Sequence, residues 1–450
     1  MQSDLDDRNP SCGAVAARSC LGYTPPDLLC SDSPKQSVSV RRRHVFYYPG
    51  YDPESRTRYR LLFVRELLRR AKCFGEAKPQ ISRAGLSADG LVQNWTVTTP
   101  SGVETSYDVL LWDDLVARDS ERSRFVSVAL LVVGTLHALI RGKLFTFYRL
   151  NWKYGNVIIY PFVLLLLLGA VSALVALVVH AHLGDWYAHS LGLPPWATIP
   201  LGILVGLGWI RAMEVLLTRA FFWQLLNDWV FNWQHGQGRR PDYEERLNVF
   251  ADHLVARLSA FADAGEALDE ILVVGHSTGG LTAVEVTARL LARDLDVGAR
   301  GPVLSVATLG SGLPLVAVQP QAARVRADIA SLVTSRRVAW IDYVAPQDWM
   351  NFPRFNPLHD LDLPIEAGSP IVNPTIRSAR FREILADETY RKVRLRPFRM
   401  HFQFLMSNDR PGAYDFFAMT LGPETLHQRG LGDWSGLSAV QVRSCETMAA

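Results

Sequence analysis

The sequence predicts an α/β protein in which a mostly parallel sheet, flanked by helices, is interrupted by a membrane hairpin. Short apolar runs rich in β-branched residues alternate with helical patterns both upstream and downstream of the chain centre. This alternation is typical of a parallel sheet that is covered on both faces. Two long apolar segments separate the two sets of elements. Because neither set has enough strands for a complete sheet, we expect both to form one α/β domain.

The individual elements follow from the spacing of the apolar residues. Upstream of the hairpin, the sequence predicts strands at 44–48, 92–98 and 107–112 and a helix at 54–72. Downstream of the hairpin, it predicts helices at 243–261, 279–293 and about 320–333, and strands at 271–274, 303–309 and 338–343.

These elements divide the chain into five stretches. Residues 1–42 are rich in serine, aspartate, proline and glycine without periodicity, which predicts a disordered tail. The two parts of the α/β domain occupy 43–120 and 241–425, and a membrane-associated insertion occupies 121–240. Residues 426–450 are expected to form a C-terminal tail.

Two segments of the insertion are predicted to cross a membrane, at about 157–180 and 191–211. The first lacks Asp, Glu, Lys and Arg and is long enough for a hydrocarbon core of roughly 30 Å. The second is a weaker candidate because prolines and glycines interrupt its apolar residues. Two neighbouring stretches leave alternatives open. The apolar run 126–140 is a soluble or interfacial helix or a re-entrant segment, and the aromatic-rich segment 221–233 is a helix at the inner membrane surface or a core helix.

Basic residues predict the orientation of the hairpin. They precede the first span and follow the second, whereas the loop between the spans has neither lysine nor arginine. These basic residues are Arg141, Lys143, Arg149, Lys153, Arg211 and Arg219. Because positive residues stay on the cytoplasmic side, we expect the α/β domain and both termini there, in a bacterial inner membrane.

Composition argues against several classes of protein. A net charge of +3 is too mild to indicate nucleic-acid binding, and the run Arg41-Arg42-Arg43 precedes a strand and is expected to be solvated. The five cysteines form no CxxC pair and no Cys/His cluster with metal spacing, and the sequence has neither a dinucleotide fingerprint nor a phosphate loop, so we expect neither a metal nor a cofactor. The oligomeric state stays open.

The clearest functional signal is the motif Gly275-His276-Ser277-Thr278-Gly279. It follows a buried strand and precedes a helix, the context in which such a motif exposes a nucleophilic serine. Glycines flank the serine because the turn is sharp and the backbone passes close on both sides. The sequence therefore predicts Ser277 as a nucleophile.

This motif and the order of the elements resemble the α/β-hydrolase superfamily over about residues 43–120 and 240–420. The resemblance implies the chain order nucleophile, acid, histidine, with the acid after a late strand. Asp348 lies in a turn beyond such a strand and is the preferred acid, with Asp342 within the strand as the alternative. Of the later histidines, His401 has apolar neighbours that would anchor it and is preferred to His359 and His427.

The same chemistry needs two N–H donors for an oxyanion. One is expected from the backbone of Thr278, the residue after the nucleophile. The second is expected from the turn after the first strand, around Gly50 or Tyr51, although Pro49 stands where the superfamily usually has a histidine. His276 is expected to pack beside the site and not to act as the base.

These predictions favour a membrane-anchored serine hydrolase. It would act on an ester or thioester through Ser277, His401 and Asp348, and its partners would be a small-molecule or lipid ester and membrane lipids, not nucleic acid. Two alternatives stay open: an inactive membrane-tethered scaffold with the same fold, and an acyltransferase that uses the same three residues.

Overall fold

Nine strands form one sheet in the part of the chain that the computed structural model describes, residues 39–192 and 194–431. The strands are β1 Arg42–Tyr48, β2 Gln80–Ile81, β3 Gly85–Leu86, β4 Val92–Thr98, β5 Glu104–Leu110, β6 Glu270–His276, β7 Val303–Leu309, β8 Ala339–Val344 and β9 Thr375–Ser378. Their spatial order is β2-β4-β5-β1-β6-β7-β8-β9, and β3 pairs with β4. The pairs from β5 to β9 are parallel, whereas β2, β3 and β5 are antiparallel to β4. The predicted mostly parallel sheet is therefore confirmed.

Helices cover the sheet and form the insertion. Upstream of the central hairpin they are α1 Ser55–Cys73, α2 Asp113–Glu121, α3 Arg124–Ile140 and α4 Lys143–Leu150. The hairpin contains α5 Trp152–Leu191, a 3₁₀ helix at Pro195–Thr198, α6 Ile199–Ala212 and α7 Glu214–Arg219. The others are α8 Phe222–Gly236, α9 Pro241–Asp263, α10 Thr278–Arg293, α11 Leu313–Ala317, α12 Ala323–Thr334, α13 Pro357–Asp360, α14 Phe381–Ile384, α15 Asp387–Val393, α16 Pro397–His401, α17 Phe416–Leu421 and α18 Leu426–Leu431, with a second 3₁₀ helix at Phe402–Leu405.

The two parts of the α/β domain meet in the middle of the sheet. β1, which precedes the hairpin, pairs in parallel with β6, which follows it, and His44 stands opposite Ile271. Both strands are almost wholly buried, as expected when helices cover both faces of a parallel sheet. The insertion therefore leaves one continuous sheet.

The amino end of this central strand pair is held by a buried ion pair. Arg43 Nε donates to Glu270 Oε2 over 2.6 Å, and both side chains are fully buried. Arg43 also donates to the carbonyl oxygens of Gly422 and Glu424, while Glu270 accepts from Ser305 Oγ. The expectation of a solvated basic run is therefore wrong for Arg43, because the sequence does not show that Glu270 lies opposite it.

The insertion contains two helical segments that are long and apolar enough to span a membrane, Trp152–Gly184 and Trp196–Arg219. They pack closely because small residues line the contact. A Cβ atom at Gly202 would lie 2.8 Å from the carbonyl oxygen of Ala176, and Ser172 Oγ donates to the carbonyl oxygen of Gly206. Such small-residue packing is common between membrane helices.

The structure also distinguishes the alternatives for the neighbouring helices. Trp229, Phe231 and Trp233 of α8 are buried, so the aromatic-rich segment is a core helix. α3 buries Leu131 and Ala138 but exposes an apolar stripe on its other face, at Phe125, Val126, Val133, Leu136 and Ile140. α2 and α3 are long and apolar enough for a membrane span only when they are taken together, and the pair is bent by 103°.

The predicted tails differ from the structure at their inner ends. The amide of Val40 donates to the carbonyl oxygen of Pro423, and β1 begins at Arg42. At the other end, α18 is packed on the sheet, where the amide of Leu426 donates to Glu270. Residues 1–38 and 432–450 of the predicted tails lie outside the described residues.

We expect Arg43→Leu to destabilise the α/β domain strongly. Glu270 would keep its buried carboxylate without the guanidinium, and breaking a buried pair costs about 3–5 kcal/mol. Arg41→Leu is the control, because Arg41 is exposed. Thermal unfolding of the detergent-solubilised protein measures both variants, and equal unfolding midpoints would contradict this account.

Candidate active site

Ser277 occupies a strained one-residue turn between β6 and α10. Its φ is 59° and its ψ is −127°, a conformation that non-glycine residues rarely adopt and that costs of order 1–3 kcal/mol. The backbone around the turn holds it there: the Ser277 amide donates to the carbonyl oxygen of Leu309, and the Ser277 carbonyl accepts from the amides of Gly280 and Gly312. The turn projects the serine hydroxyl beyond the carboxyl end of a central strand.

Two glycines make this turn possible because the backbone packs very closely. A Cβ atom at Gly275 would lie 2.1 Å from the carbonyl oxygen of Gly279. A Cβ atom at Gly279 would lie 2.1 Å from the carbonyl oxygen of Tyr48, at the end of β1. The first turn of α10 can therefore rest directly on β6 and β1, and no larger residue fits at either position.

His401 and Asp348 form a buried hydrogen-bonded pair near this turn. Asp348 follows β8, and His401 is the last residue of α16. His401 Nδ1 lies 2.7 Å from Asp348 Oδ2. The carboxylate also accepts from the amide of Met350 and from Asn351 Nδ2, and these two donors fix its direction.

The other ring nitrogen of His401 is available for chemistry. A carboxylate accepts hydrogen bonds, so Nδ1 carries the proton and Nε2 of the neutral ring has a free lone pair. Nε2 is buried and makes no hydrogen bond within the described part of the chain. His401 and Ser277 line the same cavity. The arrangement thus places a hydroxyl and a ring nitrogen that has no partner among the described residues in one cavity.

His276 also lines the cavity, but neighbouring groups engage both of its ring nitrogens. Its Nε2 lies 3.2 Å from the carbonyl oxygen of His401, so Nε2 is the protonated nitrogen. Its Nδ1 lies 3.5 Å from the Tyr59 hydroxyl, which accepts a hydrogen bond from the Gly50 amide. Burial holds the pKa of His276 well below its ordinary value. A neutral His276 therefore positions the His401 backbone.

The backbone donors are arranged differently from the prediction. The Gly50 amide donates to Tyr59, so the expectation that Gly50 supplies a free N–H is wrong. Gly50 instead allows close approach, since its Cβ would lie 3.0 Å from Ser277 Cβ. The Tyr51 amide makes no hydrogen bond to other described residues, and Thr278 begins α10, where an amide has no acceptor within the helix. Within the described residues, the amides of Thr278 and Tyr51 thus have no acceptor, and Tyr51 lines the cavity together with Ser277.

The alternative acid and bases lie elsewhere. Asp342 Oδ1 accepts from Thr308 Oγ1 over 2.6 Å on the neighbouring strand, and not from a histidine. His359 is an exposed residue of α13 outside the cavity. His427 lies on α18, next to the amino end of β6, so roughly 20 Å of strand separates it from Ser277.

The cavity reveals residues that the sequence did not indicate. Its walls come from the loop after β1 and from α5, α8, α11 and α16 and their flanking residues. Asp228 of α8 lines it and accepts from Thr278 Oγ1 over 3.1 Å and from Asn232 Nδ2 over 3.0 Å. Burial raises the pKa of Asp228 to about 6. No local motif marks this aspartate, because only the folding of α8 over Ser277 brings it to the site.

A second cluster of ligand-type side chains lies apart from the cavity. The cluster consists of His235, Glu244 and Glu285. Each residue offers one nitrogen or oxygen atom, and these three atoms lie within 4.8 Å of one another, a spacing that could hold a metal ion. However, Glu244 accepts from Arg289 over 2.7 Å and from Arg324 over 2.9 Å, and His235 Nε2 lies 3.0 Å from Glu285. These contacts describe an ion-pair network.

Comparisons of the chain with known protein families, with curated proteins and with solved structures find no match.

Asp342→Asn should stabilise the protein at alkaline pH. Burial raises the pKa of Asp342 to about 6 from its ordinary value of 3.8. The folded state therefore holds a proton more tightly than the unfolded state, and stability is lost as pH rises from about 4 through 6. An asparagine avoids this loss, worth up to about 3 kcal/mol above pH 7. Thermal unfolding at pH 8 and pH 4 measures the effect, and an advantage that is larger at pH 4 would contradict it.

Proposed function

We propose that the protein is a membrane-anchored serine hydrolase of the α/β-hydrolase type that cleaves an ester or thioester. One observation carries the proposal: Ser277, on a strained turn after a central strand, shares a cavity with Nε2 of His401, whose Nδ1 is bound to Asp348. A serine hydroxyl needs a base to become a nucleophile, and the base needs an acid to orient it. These three residues supply that sequence of groups.

The reaction begins at the hydroxyl of Ser277. His401 Nε2 takes the proton as Oγ bonds to the carbonyl carbon, and the π electrons of the carbonyl move to its oxygen. When the tetrahedral intermediate collapses, the bond to the leaving alcohol or thiol breaks and that group takes the proton from His401. Water then attacks the acyl-enzyme with His401 again as base, which releases the carboxylic acid and restores Ser277.

Three features prepare the site for this reaction. Asp348 stabilises the imidazolium that forms on His401. The free amides of Thr278 and Tyr51 can donate to the oxyanion, each such donor being worth about 3 kcal/mol of barrier. Ser277 and His401 also line one cavity, and the hydrogen bond between such a hydroxyl and its base often tightens only with substrate bound.

The hairpin supports attachment to a membrane with the site on the cytoplasmic side. Two segments are long and apolar enough to span. Basic residues flank them on the side of the α/β domain, where Lys153 Nζ donates to the carbonyl oxygen of Pro346 and Arg149 pairs with Asp360. Positive residues are retained in the cytoplasm, which favours this orientation.

Labelling with a fluorophosphonate tests the nucleophile. We expect the wild-type protein to react and Ser277→Ala to lose all labelling, because only an activated serine attacks this probe. Folding of the variant is checked by its thermal unfolding midpoint. Labelling that persists in Ser277→Ala would overturn the assignment, and an unreactive wild type would favour an inactive scaffold.

Asp348→Asn and Asp342→Asn form a matched pair of variants. Asp348→Asn should lower the rate of ester hydrolysis about 10⁴-fold, because an asparagine favours the wrong tautomer of His401. Asp342→Asn should stay within about threefold of wild type, since Asp342 contacts Thr308 and no histidine. Hydrolysis of a chromogenic ester measures both, and the reverse pattern would assign the acid to Asp342.

A further inference from the structure

The cavity at Ser277 is lined by the start of the first apolar segment and by α8, the helix that follows the second segment. The first segment begins at Trp152, and Tyr154, Val157 and Ile158 of its opening turns line the cavity. The second segment ends at Arg219, and the next residue along the chain that lines the cavity is Gln224 of α8. The site is therefore built partly by the base of the hairpin.

The cavity lies about as far from the exposed apolar part of α5 as the interfacial layer of a bilayer is thick. Along α5, Tyr154 and Ile158 are buried against the domain, whereas Val163, Leu166 and Leu167 are exposed. Val163 follows Ile158 by five residues, which is about 8 Å of helix. The interfacial layer on each side of the hydrocarbon core is of about this thickness. An ester group held at this layer can reach Ser277 while its chain stays in apolar surroundings.

The wall on the hairpin side of the cavity is apolar. It includes Val157 and Ile158 of α5, Leu225 and Trp229 of α8, and Phe398 of α16. Phe398 stacks on Phe221, with ring centroids 4.0 Å apart, at the junction that leads back to the second apolar segment. An acyl chain is the substrate group that such a wall accommodates.

The charge of the cavity adds a second restriction. Its lining holds two aspartates and neither lysine nor arginine. Asp52 is paired with Arg58 over 2.8 Å, whereas no lysine or arginine pairs with Asp228 among the described ion pairs. A substrate with a negative group beside its ester would meet this carboxylate without a compensating cation, and like charges brought together cost affinity.

We propose that the substrate is a long-chain acyl ester of an uncharged, hydroxyl-bearing alcohol such as glycerol, which reaches Ser277 from the membrane surface. The acyl chain lies along the apolar wall, and a hydroxyl of the alcohol donates to Asp228. Asp228 is thus a specificity residue that excludes anionic lipids. This assignment rests on the proposed hydrolase activity.

Hydrolysis of defined lipids by the full-length protein in a nonionic detergent tests the chain and the charge separately. Released fatty acid is measured for monolauroylglycerol, for monobutyroylglycerol and for anionic lauroyl-lysophosphatidylglycerol, with Ser277→Ala as the blank. We expect kcat/KM for monolauroylglycerol to exceed that for each of the other two at least about tenfold. Equal values for the neutral and anionic lauroyl esters, or for the two chain lengths, would overturn the proposal.

Asp228→Asn tests the specificity residue directly. The variant keeps the size of the side chain but not its charge, so the preference for the neutral over the anionic lauroyl ester should fall about tenfold. Glu388→Gln is the matched control, because it removes one charge from an exposed residue of α15 and should leave the preference unchanged. An unchanged preference in Asp228→Asn would contradict the role of Asp228.

These outcomes are distinguishable from failure of the proposed function. If the wild type reacts with fluorophosphonate at Ser277 but hydrolyses all three lipids equally, the hydrolase proposal stands and the substrate proposal fails. If the wild type neither reacts with the probe nor releases fatty acid, the hydrolase proposal itself fails. The comparison of lipids uses the wild-type chain, so it does not depend on how well Asp228→Asn folds.

Discussion

The close approach of the first turn of α10 to the ends of β1 and β6 is the constraint on which the site depends. The contact exists only because Gly275 and Gly279 have no Cβ atom. At either position a Cβ atom would lie 2.1 Å from a carbonyl oxygen. It compels the single residue between strand and helix to take a positive φ and to point its side chain away from the sheet. The same contact brings Gly50, at the end of β1, against Ser277. The conformation of Ser277 and the close contact of Gly50 with it thus have one structural cause.

A second dependence links the hairpin to the acid. Asn151, just before α5, donates through Nδ2 to the carbonyl oxygen of Asn351, and Asn351 Nδ2 donates to Asp348. Tyr154 packs on Phe352 of the same loop, with ring centroids 4.6 Å apart. The base of the hairpin and the carboxylate that orients His401 are therefore one packed unit. In this account the hairpin shapes and orients the site as well as anchoring the protein.

Local patterns predicted much of this architecture, and long-range contacts account for what they missed. The predicted strands 92–98 and 303–309 match β4 and β7, and the predicted apolar segments match the hairpin. Each of these elements has a pattern that is visible within its own residues. Arg43 and Asp228 escaped prediction because their environments come from residues far along the chain. Likewise, only the fold shows that Asp342 accepts a hydrogen bond from Thr308 and that the Gly50 amide donates to the Tyr59 hydroxyl.

The central claim is that Ser277 carries the acyl group during turnover. Mass spectrometry of the protein, acid-quenched while it hydrolyses a p-nitrophenyl decanoate ester, tests this claim most directly. The account predicts one decanoyl group on the peptide that contains Ser277 and none in Ser277→Ala. Hydrolysis by Ser277→Ala at the wild-type rate, or a decanoyl adduct on another residue that turns over, would contradict it.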